Sequence, residues 1–305
     1  MVCSVGSRSS LSYIEEVTFG TTPAGNFQNL PYSTHSLDLA KDRVTGTDIQ
    51  SDRMPRVDRH GNRQVAGDIV ADLRNSEYDA FLESAFLSSW SSDVLKIGTT
   101  PKYFSIEDYA ADIDQARVFT GCTVNSLGIS LAPNQMITTT YGMIGKNMSI
   151  SATEATQTAS TGAVPFDSYS GDLQIGDAGG SLTTVGFVTQ MDFTLSNGIE
   201  PQFVIGSDSV ACLPYGRATV EGNLTAFYED DALINRFLNE TETALSVSVN
   251  DPSGSNEYTF FFPRIKINGA TVPVGGEGIR LIEIPFVALY DSTEDTNISI
   301  TRPTP

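Results

Sequence analysis

Residues 63–86, RQVAGDIVADLRNSEYDAFLESAF, decide the fold of this chain because they read as a strand that runs directly into a helix. In the first part, apolar or small residues alternate with polar ones, which is the period-two pattern of a half-buried strand. In residues 78–86 the apolar side chains recur at helical spacing. Either Asn75 or Ser76 is predicted to cap the N-terminus of this helix.

The same pattern occurs a second time. Residues 219–238, TVEGNLTAFYEDDALINRFL, repeat it 155 positions later without a gap, so that Gly67 falls on Gly222. The strands after the helix repeat at an offset of 143, and residues 191–193 are expected to be the counterpart of residues 37–39. A self-match at so long a period predicts two copies of one unit. In chain order we expect a flexible N-terminal arm at 1–12, a first domain at 13–150, a linker at 151–181 and a second domain at 182–301.

The composition predicts a mainly β chain and argues against a protein that holds nucleic acid. Apolar residues make up 40% of the 305 positions, and there are 26 glycines. Each copy is predicted to be a small antiparallel β-sandwich or barrel with one helix. The 37 acidic and 18 basic residues give a net charge of −19, whereas phosphate binding requires a cationic face.

The remaining composition signals concern the compartment. An apolar run of about 18 residues, which would predict a membrane span, does not occur, and the N-terminus lacks the apolar core of a signal peptide. Three widely spaced cysteines predict reduced thiols in a chain that folds in a cytoplasm.

A long charged segment at residues 41–63 follows the first predicted strand. It holds six of the 18 basic residues, interleaved with four aspartates. One interpretation is a solvated hairpin; the other is an arm that reaches a neighbouring subunit, because mixed charge at this density orients a contact. Residues 196–209 take this place in the second copy and are less charged, so the two arms are not expected to be equivalent. The candidate contact residues of the first arm are Lys41, Arg43, Asp48, Asp52, Arg53, Arg56, Asp58, Arg59 and Arg63.

A further segment, residues 88–116, has no second-copy counterpart of equal length. It is interpreted as an insertion on the outer surface. Its acidic run at residues 107–114 is predicted to be partly helical.

The sequence contains no constellation that predicts catalysis, a metal site or a cofactor. His35 and His60 are the only histidines, and neither has a neighbouring ligand at metal spacing. Residues 275–278, GGEG, lack the Lys-Ser/Thr and the strand-to-helix setting of a phosphate loop, so a hairpin turn is predicted there. We therefore expect a protein that is not an enzyme.

The repeated unit resembles the tail tube proteins of long-tailed bacteriophages of the siphophage type. The resemblance covers most of the chain, and its most specific parts are VTFGTTP at residues 17–23, SDR at 51–53 and the segment 63–86. Some tube proteins of this group carry two fused copies of the tube domain. The resemblance thus implies a tandem duplicated tail tube domain in a structural virion protein.

The resemblance also implies an assembly. Three chains with two copies each would form a homotrimeric, pseudo-hexameric ring, and rings would stack helically into the tube through which DNA leaves the capsid. The implied partners are further copies of the chain and the tape measure, tail terminator and distal tail proteins. DNA would pass without specific binding, no membrane would be involved, and the tail would be assembled in the host bacterial cytoplasm.

The acidity of the chain suits such a channel, because a negative wall repels the DNA backbone. Strand parity predicts which side chains lie on the face opposite the core. The alternative is that these are ordinary solvated positions. The candidates are Asp38, Asp68, Thr138, Thr140, Asp192, Glu221, Asn223 and Glu283.

Two other classes of protein remain open at this point. One is another phage structural protein with a related β domain, in tail completion, a baseplate hub or capsid decoration, which would form discrete rings or a capped trimer instead of long tubes. The other is a carbohydrate-binding β-sandwich module. Such modules present clusters of exposed aromatic rings, whereas Trp90 is the only tryptophan here.

Overall fold

The computed structural model describes residues 3–49, 51–52, 54, 56–185, 187–254 and 256–302. Within them the chain is mainly β, as predicted, with two short α-helices. After a turn of 3-10 helix at Gly6–Arg8, the elements of the first half are β1 (Ser9–Glu15), β2 (Phe27–Asn29), β3 (Thr34–His35), β4 (Asp38–Thr45), β5 (Asp58–Asp72), α1 (Asp79–Phe86), β6 (Val94–Lys96), β7 (Phe104–Ala110), β8 (Gln115–Leu131), β9 (Thr138–Gly145), β10 (Asn147–Ser151) and β11 (Gln157–Thr158). Those of the second half are β12 (Asp172–Asp177), β13 (Thr183–Thr184), β14 (Val188–Ser196), β15 (Thr219–Phe227), α2 (Ala232–Leu238), β16 (Thr243–Asn250), β17 (Glu257–Ile267), β18 (Leu281–Ala288) and β19 (Ser299–Thr301).

One antiparallel sheet, here called the long sheet, runs through both halves. Its strands lie in the order β4, β5, β9, β8, β14, β15 and β18. Only the C-terminal part of β8 belongs to it, because β8 bends and its N-terminal part pairs with β7 and β10. The pairing of β8 with β14 joins the two halves of the chain.

Each half also has a smaller sheet that packs on the long sheet, and the hydrophobic core lies between the two. In the first half it consists of β2, β1, β7, the N-terminal part of β8, and β10. In the second half β13, β12, β16, β17 and β19 are arranged in the same way. Phe81 of α1 fills the first core, with its ring 5.0 Å from Phe104 and 5.5 Å from Tyr141.

The two halves pair their strands in the same order and register. Gly67 of β5 lies opposite Met143 of β9, and Gly222 of β15 lies opposite Phe286 of β18. These positions differ by 155 and 143, the two offsets found in the sequence. The register shift between β7 and β8 also recurs between β16 and β17. The helices differ, because α1 is largely buried whereas no residue of α2 is.

The register corrects the predicted counterpart of residues 37–39. Asp38 lies opposite Ala66, and Thr194 lies opposite Glu221. Since Ala66 and Glu221 are 155 positions apart, Thr194 corresponds to Asp38. The predicted match with residues 191–193 was therefore two residues too early.

The predicted cap of the first helix is wrong. The helix begins at Asp79, and neither Asn75 nor Ser76 caps it. The Asn75 amide donates to Asn256 at 2.8 Å, and the Ser76 N–H donates to the Tyr258 hydroxyl at 2.9 Å. These partners lie about 180 positions away in the second half, so a local cap pattern could not reveal them.

The N-terminal arm and the linker are shorter than predicted. Residues 9–12 of the expected arm lie in β1, where Leu11 is completely buried. Residues 172–177 of the expected linker form β12, which pairs with β16 along its whole length. Both segments are polar in sequence because, in a strand with one face on the core, only alternate side chains reach the core.

The prediction of a surface insertion at residues 88–116 with a partly helical acidic run is also wrong. The segment contains β7, which lies between β1 and β8, and both Glu107 and Asp108 are buried there. Glu107 accepts a hydrogen bond from the Ala155 N–H at 2.9 Å, and Asp108 pairs with Arg117 at 2.6 Å. A buried carboxylate needs such partners, and here they come from other segments.

Candidate functional site

The long sheet has one core face and one open face. In each strand the apolar residues turn inward and are buried, as in β15, where Val220, Leu224 and Ala226 alternate with polar residues. Side chains directly opposite in neighbouring strands lie on the same face. The outward residues therefore form one surface across both halves, here called the open face. It comprises Asp68, Val70, Asp72, Ser126, Gly128, Ser130, Thr138, Thr140, Gln190, Asp192, Thr194, Ser196, Glu221, Asn223, Thr225 and Glu283, with the apolar Phe227, Leu281, Pro285 and Val287 at the end formed by β15 and β18.

The register arranges these residues in rows that cross the junction between the halves. Successive neighbours in one row are Asp72, Thr138, Ser130, Asp192 and Asn223. The next row runs from Val70 through Thr140, Gly128 and Thr194 to Glu221. The face thus consists mostly of hydroxyls, amides and carboxylates.

The charge of the open face has one sign. Five carboxylates lie on it, and none of its positions holds lysine or arginine. Among the residues that the structure describes, these carboxylates form no ion pair. Such a surface has no cation that would attract phosphate, and it repels anions at short range. The five are Asp68, Asp72, Asp192, Glu221 and Glu283.

Seven of the eight candidates from strand parity meet on this face: Asp68, Thr138, Thr140, Asp192, Glu221, Asn223 and Glu283. Asp38 lies at its edge, opposite Ala66, with its carboxylate 3.8 Å from the Arg117 guanidinium. Sequence reasoning missed Asp72 and the contributions of β8. The signal for β8 was present in the alternation of Leu127, Ile129 and Leu131 with the small residues Gly128 and Ser130.

A small cluster of charges lies beside Asp38 where β3 and β7 meet. Asp108 accepts hydrogen bonds from Arg117, and His35 Nε2 lies 3.6 Å from its carboxylate. Burial alone would raise the pKa of Asp108, but its hydrogen bonds with His35 and Arg117 outweigh this and hold the pKa below its usual value. The Asp108 carboxylate thus links His35 of β3 to Arg117 in the smaller sheet of the first half.

The charged arm is an exposed two-stranded hairpin. β4 pairs with β5 as far as Thr45 opposite Asp58, and its ion pairs, such as Arg43 with Asp58 at 2.7 Å, are open to solvent. Exposed pairs contribute little stability, so these charges are available to orient a contact. Arg53 lies outside the described residues. The other candidates, Lys41, Arg43, Asp48, Asp52, Arg56, Asp58 and Arg59, are all exposed, and Arg63 is half-buried.

The arm also carries apolar side chains that have no core to enter. Val44, Ile49, Met54 and Val57 are all exposed, and Ile49 is fully so. The corresponding loop of the second half behaves differently, because Ile199, Val210 and Leu213 pack into a small cluster with Ile144. Arg63 at the arm base holds this loop through Asp208 at 3.2 Å.

Within the described ranges, no group of three or more His, Cys, Asp or Glu side chains is placed to hold a metal ion. No helix in this part of the chain is long and apolar enough to cross a membrane.

Residues 6–288 match the family of phage tail tube proteins. The chain belongs to the phage tail tube family. The match covers nearly all of both halves, and the mainly β architecture agrees with it. No curated protein matches the chain significantly.

Membership of the tail tube family makes the chain a structural component of the virion. Tail tube proteins are typically not enzymes, and they assemble with themselves into a tube. The open face and the arm are therefore best considered as surfaces of an assembly.

Proposed function

We propose that the chain is the major tail tube subunit, which forms stacked rings around a hollow, acidic channel through which phage DNA is ejected. The observation that carries this proposal is the open face. It continues across both halves and holds five carboxylates without a lysine or arginine. The assembly is proposed to take place in the host bacterial cytoplasm, with tape measure, tail terminator and distal tail proteins as further partners.

The proposed ring contains three chains and six half-chains. Support comes from the identical strand order and register of the halves, which are proposed to be two copies of one tube domain. Each half brings about four strands to the long sheet, so a ring would close a sheet of about 24 strands. A barrel of that size leaves an aqueous channel, since even 16 to 18 strands do so. Closure would also remove the exposed sheet edges.

The lumen assignment is tested by charge reversal. In particles that carry Asp68→Lys with Glu283→Lys, we expect normal tails but DNA release slowed at least about tenfold, because cations on the wall attract phosphates. The matched control is Glu154→Lys with Glu229→Lys, which makes the same charge change at exposed positions outside the open face. Release is measured after triggering in vitro, and tail length by electron microscopy. Unchanged release from normal tails of the first variant would contradict the assignment.

The arm is proposed to contact the neighbouring ring, for which its exposed apolar residues and oriented charges are suited. Val44→Asp with Val57→Asp is expected to leave the monomer's thermal midpoint nearly unchanged while long tubes are lost, because buried unpaired carboxylates oppose the contact. Ile150→Asp is the control, since Ile150 is an exposed apolar residue outside the arm. Tubes of normal length from the double variant, seen by electron microscopy, would show that the arm does not stack rings.

Other structural roles with a related β domain make a different prediction. A tail-completion or hub protein forms discrete rings, whereas ring-to-ring contacts of a tube subunit are heterologous and propagate. Purified protein that polymerises into long hollow tubes supports the major tube subunit. Protein that stops at single rings would support the alternative.

A further inference from the structure

The pairing of β8 with β14, here called the inner junction, joins the two halves of the chain. β8 and β14 pair antiparallel over six residues, from Ser126 opposite Ser196 to Leu131 opposite Met191. Their inward side chains are apolar and, apart from the half-buried Leu131, buried, while the outward ones join the open face. The inward pairs are Leu127 with Leu195, Ile129 with Phe193, and Leu131 with Met191.

At each end of the long sheet lies a segment that corresponds to β14 or to β8. Within the ranges that the structure describes, neither segment has a partner strand on the side where β14 and β8 pair with each other. β14 corresponds to residues 35–40, whose far side from β5 has no strand among the described residues. The Leu39 N–H on this side is bonded to the carboxylate of the adjacent Asp38 at 2.8 Å. β8 corresponds to residues 269–274, which run beside β18 through the paired bonds of Thr271 and Glu283 at 2.9 and 3.0 Å.

The N–H groups on the edge of residues 269–274 that faces away from β18 are arranged to pair with another strand, whereas the Val272 carbonyl there accepts a hydrogen bond from Arg280 at 3.4 Å that such pairing would replace. The bonds of Thr271 point toward β18, so those of Ala270, Val272 and Val274 point away from it. In the described part of the chain their N–H groups make no hydrogen bond. Pro273 lies in phase with Thr271, so its missing N–H is on the β18 side and does not interrupt the free edge.

A cleft lies at the inner junction, and a second cleft lies at the equivalent place beside the unpaired edge of the first half. At the inner junction a cleft of about 340 Å³ lies between β12, β14 and β16, and Leu131, Ala132 and Pro133 close one side. A wider cleft of about 590 Å³ lies at the free edge of β3. The residues that line it correspond to residues of the first cleft, but among the described residues no segment equivalent to 131–133 closes it. The corresponding pairs are Tyr32 with Val188, His35 with Met191, and Asp108 with Val247.

We propose that residues 269–274 of one chain pair antiparallel with residues 35–40 of a second copy, in the register of the inner junction. This inference rests on the proposed ring and specifies its contact. Val272 lies opposite Leu37 and Ala270 opposite Leu39 on the core side, and Thr271 lies opposite Asp38 on the open face. Val274, which is 71% exposed in the single chain, enters the unfilled cleft beside His35.

A disulfide test reads this register directly. Asp38 and Thr271 would form a non-hydrogen-bonded pair, in which Cα atoms are about 4.5 Å apart and can be bridged. With the exposed Cys3 and Cys212 replaced by serine, rings of Asp38→Cys/Thr271→Cys are expected to give covalent dimers and trimers on mild oxidation. The yield should exceed that of Asp38→Cys/Ala270→Cys at least about fivefold, because a one-residue slip places the thiols on opposite faces.

The inner junction supplies a matched control. Gly128→Cys with Thr194→Cys occupies the equivalent pair within one chain, where a Cβ at Gly128 would lie 3.8 Å from Thr194 Oγ1. This variant should form the bridge without linking chains. If rings assemble and the control closes while the Asp38/Thr271 pair does not, the register is wrong. If the unmodified chain forms no rings, the proposed function fails instead, and the junction with it.

Amide hydrogen exchange tests the same junction without substitutions. Exchange in a peptide spanning residues 268–275 is expected to slow at least about tenfold when monomers assemble into rings, because the free N–H groups become paired. Equal exchange in monomers and rings would overturn the proposal.

Discussion

Replacing Gly67 with alanine is expected to lower the free energy of unfolding by about 3 kcal/mol or more. Gly67 has φ of +147°, which strains any residue with a side chain. A Cβ at this position would lie 2.4 Å from the Ser36 carbonyl oxygen and 2.7 Å from the Leu37 nitrogen. These are backbone atoms of the neighbouring segment of the same chain. The contact can therefore be relieved only by separating β5 from the segment between β3 and β4.

The control for Gly67→Ala is Gly276→Ala. Gly276 has the same φ, +147°, but a Cβ there meets no atom of the described residues within 4 Å, so this variant reports the conformational cost alone. Chemical denaturation of both monomers measures the difference. Gly222→Ala should also destabilise, since its Cβ would lie 2.7 Å from the Asp192 carbonyl oxygen. Equal midpoints for Gly67→Ala and Gly276→Ala would contradict the close approach of the two strands.

The second large effect is expected at Arg302, which joins the end of β19 to α1. Its guanidinium pairs with Asp79 and Asp93, and lies 4.4 Å from the Trp90 ring centre. Asp79 also accepts a hydrogen bond from Tyr258 at 2.8 Å. Arg302→Ala leaves a mostly buried carboxylate without its cation, and such losses cost about 3 kcal/mol or more.

The deficit in the free energy of unfolding caused by Arg302→Ala should depend on pH. Burial already raises the pKa of Asp79 against the opposing effect of Tyr258 and Arg302. Without Arg302 the folded-state pKa rises further above the unfolded value, so protonation favours the folded state and the deficit shrinks as the pH falls. Chemical denaturation at neutral and acidic pH measures it. Lys266→Ala is the control, because its pair with Glu240 is exposed and should matter little. An equally small effect of Arg302→Ala at neutral pH would contradict the role of this cluster.

The sequence was sufficient for features that depend on local periodicity. The alternation in residues 65–73 predicts β5 and its faces, and the offsets of 155 and 143 reproduce the register of the long sheet in both halves. Seven of the eight candidate positions meet on the open face because each strand's parity is encoded locally.

The failures have a common cause in partners that are remote in the sequence. Asn75 and Ser76 do not cap α1 because Asn256 and Tyr258 bind them. Glu107 is acidic and yet buried in a strand because Ala155 satisfies its carboxylate. Asp38 is drawn toward Arg117 at the sheet edge. Periodicity predicts which face a residue occupies, but not which distant group meets it there.

The central claim is that three copies of this chain close one ring and that rings stack into a tube. Electron microscopy of the concentrated protein tests it most directly, with end-on views averaged to resolve the ring. The expected result is long hollow tubes with six similar lobes per ring and threefold symmetry, since lobes with α1 and lobes with α2 alternate. Solid filaments, or tubes whose rings contain a number of chains other than three, would contradict it.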